Sequence, residues 1–164
     1  MLARCLFWLA LVALPIGAAA KPEQLPAACA RLLDHRLPGW EPASVDLDAA
    51  TWAQSQRLNP IVTAGDYNGD GKKDWAALVT ANGKKLAAVC LSRAKRKQIL
   101  FIEVAGQDNS ALLMTARAGT RQRNLDTGGT ERLRHDALIT LWFEKAGNTY
   151  VYEHGGFRRF GHSD

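Results

Sequence analysis

Residues 61–79 read IVTA-GDYNGDGKKD-WAALV, two apolar segments on either side of a loop rich in aspartate and glycine. The apolar segments favour strands, because β-branched and aromatic side chains fit the pleated surface of a sheet. Inside the loop, oxygen-bearing side chains recur at every second position from Asp66 to Asp70, and Asp74 follows at its end. The segment therefore predicts two strands joined by a structured loop.

This spacing is typical of a loop that surrounds a calcium ion. Calcium takes six to eight oxygen ligands at about 2.3–2.6 Å, in a geometry that a surface loop can supply. The predicted ligands are the side chains of Asp66, Asn68 and Asp70, the backbone carbonyl of Lys72, and the carboxylate of Asp74, directly or through a water. The sequence therefore predicts bound Ca²⁺. The alternative is a turn without metal, because aspartate, asparagine and glycine are common turn formers.

The loop departs from an EF-hand after nine residues. An EF-hand loop has a bidentate glutamate at position 12 and a helix on each side, whereas position 12 here is Ala77. Residues 65–79 instead resemble the FG-GAP or VCBS type of calcium repeat, whose usual form is close to G-D-F-N-G-D-G-K-x-D-x-A-V. The resemblance implies a calcium loop between strands. A single copy does not imply the propeller, or the adhesion functions, of proteins that repeat the motif.

The C-terminal part of the chain extends the resemblance. It contains Leu133-Arg134-His135-Asp136, then Phe143-Glu144-Lys145 and Tyr150-Val151-Tyr152. These runs resemble the tails of small exported bacterial proteins that carry one such calcium loop near the middle. The resemblance covers most of the chain after its leader and implies no assigned activity.

The first twenty residues predict export. They contain Arg4, an apolar run over residues 5–14, Pro15 and a final Ala18-Ala19-Ala20. This order is typical of a secretory signal peptide cleaved after Ala20, so we expect a mature chain from Lys21 in the periplasm or secreted. The apolar run is too short to span a bilayer with margin, and no transmembrane segment is expected in the mature chain.

Two cysteines, Cys29 and Cys90, remain after removal of Cys5 with the leader. In an oxidising compartment they predict a disulfide, which would close a loop of about 60 residues and connect an N-terminal helix with the sheet. Two buried free thiols are the alternative.

The chain has 164 residues, 21 basic and 16 acidic, with a formal net charge of +5. Residues 21–164 are enough for one domain with its own core. The densest charge run, Arg93-Ala94-Lys95-Arg96-Lys97, predicts either a solvated hairpin turn or a contact with an anionic partner. No aromatic residues accompany it, so a nucleic-acid partner is not expected.

The pattern of apolar residues predicts an α+β, mostly β fold. Helices are expected at residues 25–37 and 48–57, before Pro38-Gly39 and Asn59-Pro60. Strands are expected at residues 60–64, 75–81, 85–92, 98–105, 111–117, 137–144, 149–154 and 157–161. Asn82-Gly83 is typical of a two-residue type I′ hairpin turn. We therefore expect the N-terminal helix to pack on an antiparallel meander of six to eight strands.

Catalytic patterns are absent from the sequence. The four histidines are scattered without a zinc-binding pair, and no nucleophile elbow occurs, so we expect no enzyme activity. The first hypothesis is an exported calcium-binding interaction module, of the inhibitor or immunity type, for an envelope protein or a polysaccharide. The alternative is a small calcium-dependent periplasmic hydrolase.

Overall fold

The computed structural model describes residues 24–92, 97–105, 109–124 and 127–163. The predicted signal peptide and residues 93–96 of the basic run lie outside the described residues. Helix α1 spans Ala27–Arg36 and helix α2 spans Leu47–Ser55. The predicted helices are thus confirmed, with ends that differ by one or two residues. Asp46 caps α2, because its carboxylate accepts the Ala49 N–H at 2.8 Å.

Eleven strands lie in the described parts of the chain. They are β1 (Glu41–Pro42), β2 (Val62–Gly65), β3 (Asp74–Ala81), β4 (Lys84–Ser92), β5 (Lys97–Glu103), β6 (Ala111–Ala116), β7 (Arg121–Arg123), β8 (Thr130–Arg132), β9 (Ala137–Trp142), β10 (Gly147–Glu153) and β11 (Gly156–Ser163). Asn82 and Gly83 join β3 to β4 with φ of 49° and 70°. Both values are positive, as the predicted type I′ turn requires.

The strands form antiparallel sheets. In the first sheet the order is β1-β3-β4-β5. Strand β2 pairs with the first half of β3, and β1 pairs with the second half on the same edge. The second sheet has the order β11-β10-β9-β6, and β7 and β8 form a separate hairpin. The α+β, mostly β class is confirmed. The strands differ from one continuous meander because β6 pairs with β9 across the intervening hairpin.

The first sheet is covered on both faces. On one face Leu33 of α1 packs with Val79, Ala88 and Ile99. On the opposite face Leu78 and Val89 pack with residues of the second sheet, including Leu113 and Leu138. Neighbouring residues such as Leu78 and Val79 point to opposite faces, as the period of a strand requires. The fold therefore has three layers: α1, the first sheet and the second sheet, with the first sheet in the middle.

The predicted disulfide is confirmed. Cys29 of α1 and Cys90 of β4 are bonded, with their Cα atoms 5.9 Å apart, and both side chains are buried. The bond fastens α1 to the first sheet. None of the helices in the described ranges is long and apolar enough to cross a membrane.

Candidate functional site

The candidate calcium loop connects two paired strands. Strand β2 ends at Gly65 and β3 begins at Asp74, and these two residues face each other in the antiparallel ladder. Residues 66–73 therefore close the end of a hairpin. The flanks are strands, as the sequence predicts, and not the helices of an EF-hand.

Inside the loop, three of the predicted ligands hold the loop's own backbone. The Asp66 carboxylate accepts the N–H groups of Asp70 at 3.0 Å and Gly71 at 2.8 Å. The Asn68 side-chain oxygen also accepts the Asp70 N–H, and the Asp70 carboxylate accepts the Lys72 N–H, both at 3.0 Å. These bonds turn the side-chain oxygens of positions 1, 3 and 5 back over the loop. Gly71 has a φ of 77°, which a residue with a side chain rarely adopts.

Asp74 closes the base of the loop. Its side chain is fully buried. One carboxylate oxygen accepts the N–H groups of Tyr67 at 3.0 Å and Asn68 at 3.3 Å, and the other accepts the Ser92 N–H at 2.6 Å. Burial raises the pKa of Asp74 to about 6, against the lowering effect of these three donors. Asp74 thus ties the start of the loop to the end of β4.

The structure brings Asp66, Asn68, Asp70 and Lys72 together in one turn, and it places the Asp74 carboxylate against backbone N–H groups at its base. In the part of the chain that the structure describes, no group of three or more His, Cys, Asp or Glu side chains is arranged to hold a metal ion. A calcium shell here would draw on the Asn68 amide oxygen and the Lys72 carbonyl, and on the second lone pairs of carboxylate oxygens. Calcium ligation by these five residues stays a prediction.

The segment before β9 packs directly on the loop, which sequence reasoning missed. Asp136 donates its N–H to the Asp66 carbonyl at 3.2 Å, and its carboxylate accepts the Asp66 N–H at 3.1 Å. A Cβ atom on Gly69 would lie 3.3 Å from the His135 ring, and one on Gly65 would lie 2.8 Å from the Asp136 carboxylate. The glycines therefore leave room for residues 135–136 to approach. The sequence does contain this histidine–aspartate pair, but nothing in it indicates a contact 70 residues away.

Asp136 fixes three segments at once. Besides Asp66, its carboxylate accepts the Ala118 N–H at 2.9 Å and the Arg117 guanidinium at 2.9 Å. Burial acts to raise the pKa of Asp136, but the hydrogen bonds from Ala118 and Asp66 and the charge of Arg117 together hold it below its usual value. The carboxylate is therefore ionised at neutral pH, and it joins the loop to the ends of β6 and β9.

Tyr67, the second residue of the loop, anchors it in the core. The side chain is fully buried, and its hydroxyl lies 2.8 Å from the Thr115 hydroxyl of β6. Thr115 is also 2.8 Å from the Thr63 hydroxyl of β2 and donates to the Ala64 carbonyl at 3.2 Å. Burial raises the pKa of Tyr67 far above its usual value, so the hydroxyl remains protonated. The network couples the loop to both sheets.

A pocket of about 280 Å³ opens beside the loop. Its lining combines cationic and anionic side chains with small residues: Lys72, Lys73 and Arg117, then Asp66 and Asp136, and also Ala64, Gly65 and Gly71. Both carboxylates of the pocket already accept backbone N–H groups. Of the histidines, His135 lies against Gly69 of the loop, whereas His35 lies in α1 and His154 lies between β10 and β11, and both of these are exposed.

No protein-family model matches this chain, and neither a curated protein nor a solved structure matches it. The resemblance of residues 65–79 to calcium repeats therefore rests on the loop residues themselves.

Proposed function

We propose that the protein is an exported calcium-binding protein that acts in the periplasm as an interaction module, without catalysis of its own. The observation that carries the proposal is the closed loop of residues 66–74 between two paired strands. Its side-chain oxygens at positions 1, 3 and 5 are held over the turn by the loop's own N–H groups.

The charges of the loop favour a cation. Asp66 and Asp70 lie in the same turn, and their carboxylates repel each other when no cation lies between them. The nearby Asp74 carboxylate is buried, and a cation in the loop would offset the cost of its ionisation. Because position 12 is Ala77 and supplies no bidentate ligand, we expect an affinity in the range of extracellular calcium modules, with Kd about 10⁻⁴–10⁻³ M.

Export is supported by the leader pattern and the disulfide. Disulfides form and persist in oxidising compartments such as the periplasm, where calcium is also abundant. The buried Cys29–Cys90 bond fits such a compartment.

The pocket beside the loop favours binding over catalysis. A general base near neutral pH needs a pKa close to 7 and a free lone pair directed at the substrate. Asp136 has a lowered pKa and already accepts bonds from Asp66, Ala118 and Arg117. A calcium-dependent hydrolase, the alternative, would need a different group in this role.

The proposal is tested by calorimetric titration of the mature protein, residues 21–164, with calcium. The loop variant is Asp70→Asn, and the matched control is Asp48→Asn, which makes the same change at an exposed position of α2. We expect one site in wild type and in the control, and at least tenfold weaker binding in Asp70→Asn. Absence of binding to wild type at millimolar calcium would contradict the proposal.

A further inference from the structure

The β7–β8 hairpin carries three arginines on one face. In its register Arg121 lies opposite Arg132, Gln122 opposite Glu131, and Arg123 opposite Thr130. Because successive side chains of a strand point to opposite faces, Arg121, Arg123 and Arg132 share one face. All three are exposed to solvent.

The opposite face of the hairpin is held by the protein. The Gln122 side-chain oxygen accepts the hydroxyl of Thr149, a buried residue of β10, at 3.3 Å. The Glu131 carboxylate accepts the Asn124 amide at 2.8 Å and the Thr127 hydroxyl at 3.0 Å. The Gln122 contact turns this face towards β10, whereas the Glu131 contacts lie within the hairpin itself; the arginine face is the opposite one.

Among the described residues, no carboxylate forms an ion pair with the arginine face. The ion pairs in this part of the chain join Lys84 to Glu103, Arg117 to Asp136 and Arg158 to Glu153. Arg132 instead donates to a neutral acceptor, the Gly119 carbonyl at 3.1 Å. Like charges directly opposite each other destabilise a pair of strands. The Arg121–Arg132 pair therefore opposes folding, and an anionic ligand would compensate it.

We propose that this hairpin binds an anionic polysaccharide. Guanidinium groups bind carboxylate, sulfate and phosphate groups through paired hydrogen bonds. Positions 121 and 123 are about 6.5 Å apart along the strand, and positions 121 and 132 are about 5 Å apart across it. Three arginines at backbone positions with these spacings can place their guanidinium groups on successive anionic groups of a linear chain. The inference rests on the interaction part of the proposed function and is independent of calcium.

The surroundings of the hairpin favour a hydrated polymer over other anionic partners. In the described ranges, the large exposed apolar side chains are Leu47 of α2 and Phe101 of β5, and neither lies on the hairpin. Protein interfaces are centred on buried aromatic or aliphatic anchors. Membrane-surface binding uses an apolar face, and single-stranded nucleic acids stack on aromatic side chains. The described residues of the arginine face, Arg121, Arg123 and Arg132, provide none of these.

The experiment measures binding of the mature protein to immobilised polygalacturonate, with a chelator present so that calcium takes no part. The hairpin variant is Arg121→Gln/Arg132→Gln. The matched control is Arg31→Gln/Arg36→Gln, which removes the same charge from two exposed positions of α1. We expect wild type and control to elute at similar salt, and the hairpin variant to bind roughly tenfold more weakly and to elute at lower salt. Its melting temperature should stay close to that of wild type, because removal of the like-charge pair offsets loss of the Arg132 hydrogen bond to the Gly119 carbonyl.

An equal loss of binding in both double variants would overturn the inference, since it would reduce the effect to net charge. Failure of wild type to bind, or tighter binding to polyglutamate or to phosphatidylglycerol vesicles, would also overturn it. The calcium titration tests the calcium proposal separately. Its outcome does not affect polysaccharide binding, which is measured in chelator.

Discussion

Replacement of Asp136 by alanine tests whether the segment before β9 holds the candidate loop in place. The Asp136 side chain is 12% exposed, and its carboxylate accepts the backbone N–H groups of Asp66 and Ala118. Alanine leaves both donors without their acceptor. A hydrogen bond to a charged group contributes about 1.5–3 kcal/mol, and water entering the space would restore part of the loss. We therefore expect the free energy of unfolding to fall by about 2–4 kcal/mol.

Arg117→Ala is the control for this prediction. It removes the third partner of Asp136, but the Arg117 side chain is 71% exposed. Exposed ion pairs contribute about 0–1 kcal/mol, so the loss should be below about 1 kcal/mol. Urea unfolding at neutral pH measures both values. Equal losses in the two variants, or a loss below about 0.5 kcal/mol for Asp136→Ala, would refute the role assigned to the backbone contacts.

The same variant should change the acid sensitivity of the protein. The pKa of Asp136 is lowered in the folded state, so its ionisation stabilises the protein above the unfolded pKa of about 3.9. This contribution is lost as the pH falls from about 4 through the lower folded pKa. The free energy of unfolding of wild type should therefore fall between pH 5 and pH 2. The fall should be smaller for Asp136→Ala, which has no carboxylate at this position.

Three further predictions concern the surroundings of the loop. Gly65→Ala should destabilise by about 1–3 kcal/mol, because its Cβ would lie 2.8 Å from the Asp136 carboxylate and 2.9 Å from a Thr115 methyl group; urea unfolding should show no comparable loss for Gly156→Ala, which meets nothing within 4 Å. Tyr67→Phe should lower the free energy of unfolding by about 1–2 kcal/mol, because Thr115 loses a buried hydrogen-bond partner. An unchanged urea midpoint would show that the hydroxyl network does not stabilise the fold. Reduction of the Cys29–Cys90 bond, which joins residues 61 apart, should cost about 4 kcal/mol in the chain-entropy model; this loss should appear on comparing unfolding with and without reductant, and its absence would contradict the link between α1 and the sheet.

The features that the sequence predicted are those with local signals. The strands around the loop follow from apolar runs, the hairpin at Asn82-Gly83 from turn chemistry, and the Cys29–Cys90 bond from cysteine count and compartment. Strands β1, β7 and β8 were missed because they have only two or three residues each, too few for a periodic pattern.

The features that were missed depend on distant partners. From the sequence alone, β6 could pair with the strand that follows it in the chain, as in a meander. Its observed pairing with β9 depends on packing between residues that are distant in sequence. In the candidate site, the five predicted ligands are local in sequence, whereas the contacts of Asp136 with Asp66 span 70 residues. The hydrogen bond from Ser92 to the buried Asp74 carboxylate likewise depends on β4, which reaches the loop only in the folded chain.

The central claim is that the loop of residues 66–74 binds calcium, and thermal unfolding with and without the ion tests it most directly. The mature protein and its Asp70→Ala variant are melted in 10 mM calcium and in chelator. With the expected Kd of about 10⁻⁴–10⁻³ M, this concentration is about 10–100 times Kd, and binding adds about 1.4–2.7 kcal/mol, which is roughly 5–9 °C for a domain of this size. The account predicts this gain for wild type and little gain for Asp70→Ala. Equal melting temperatures of wild type in calcium and in chelator would contradict it and leave the loop an ordinary turn.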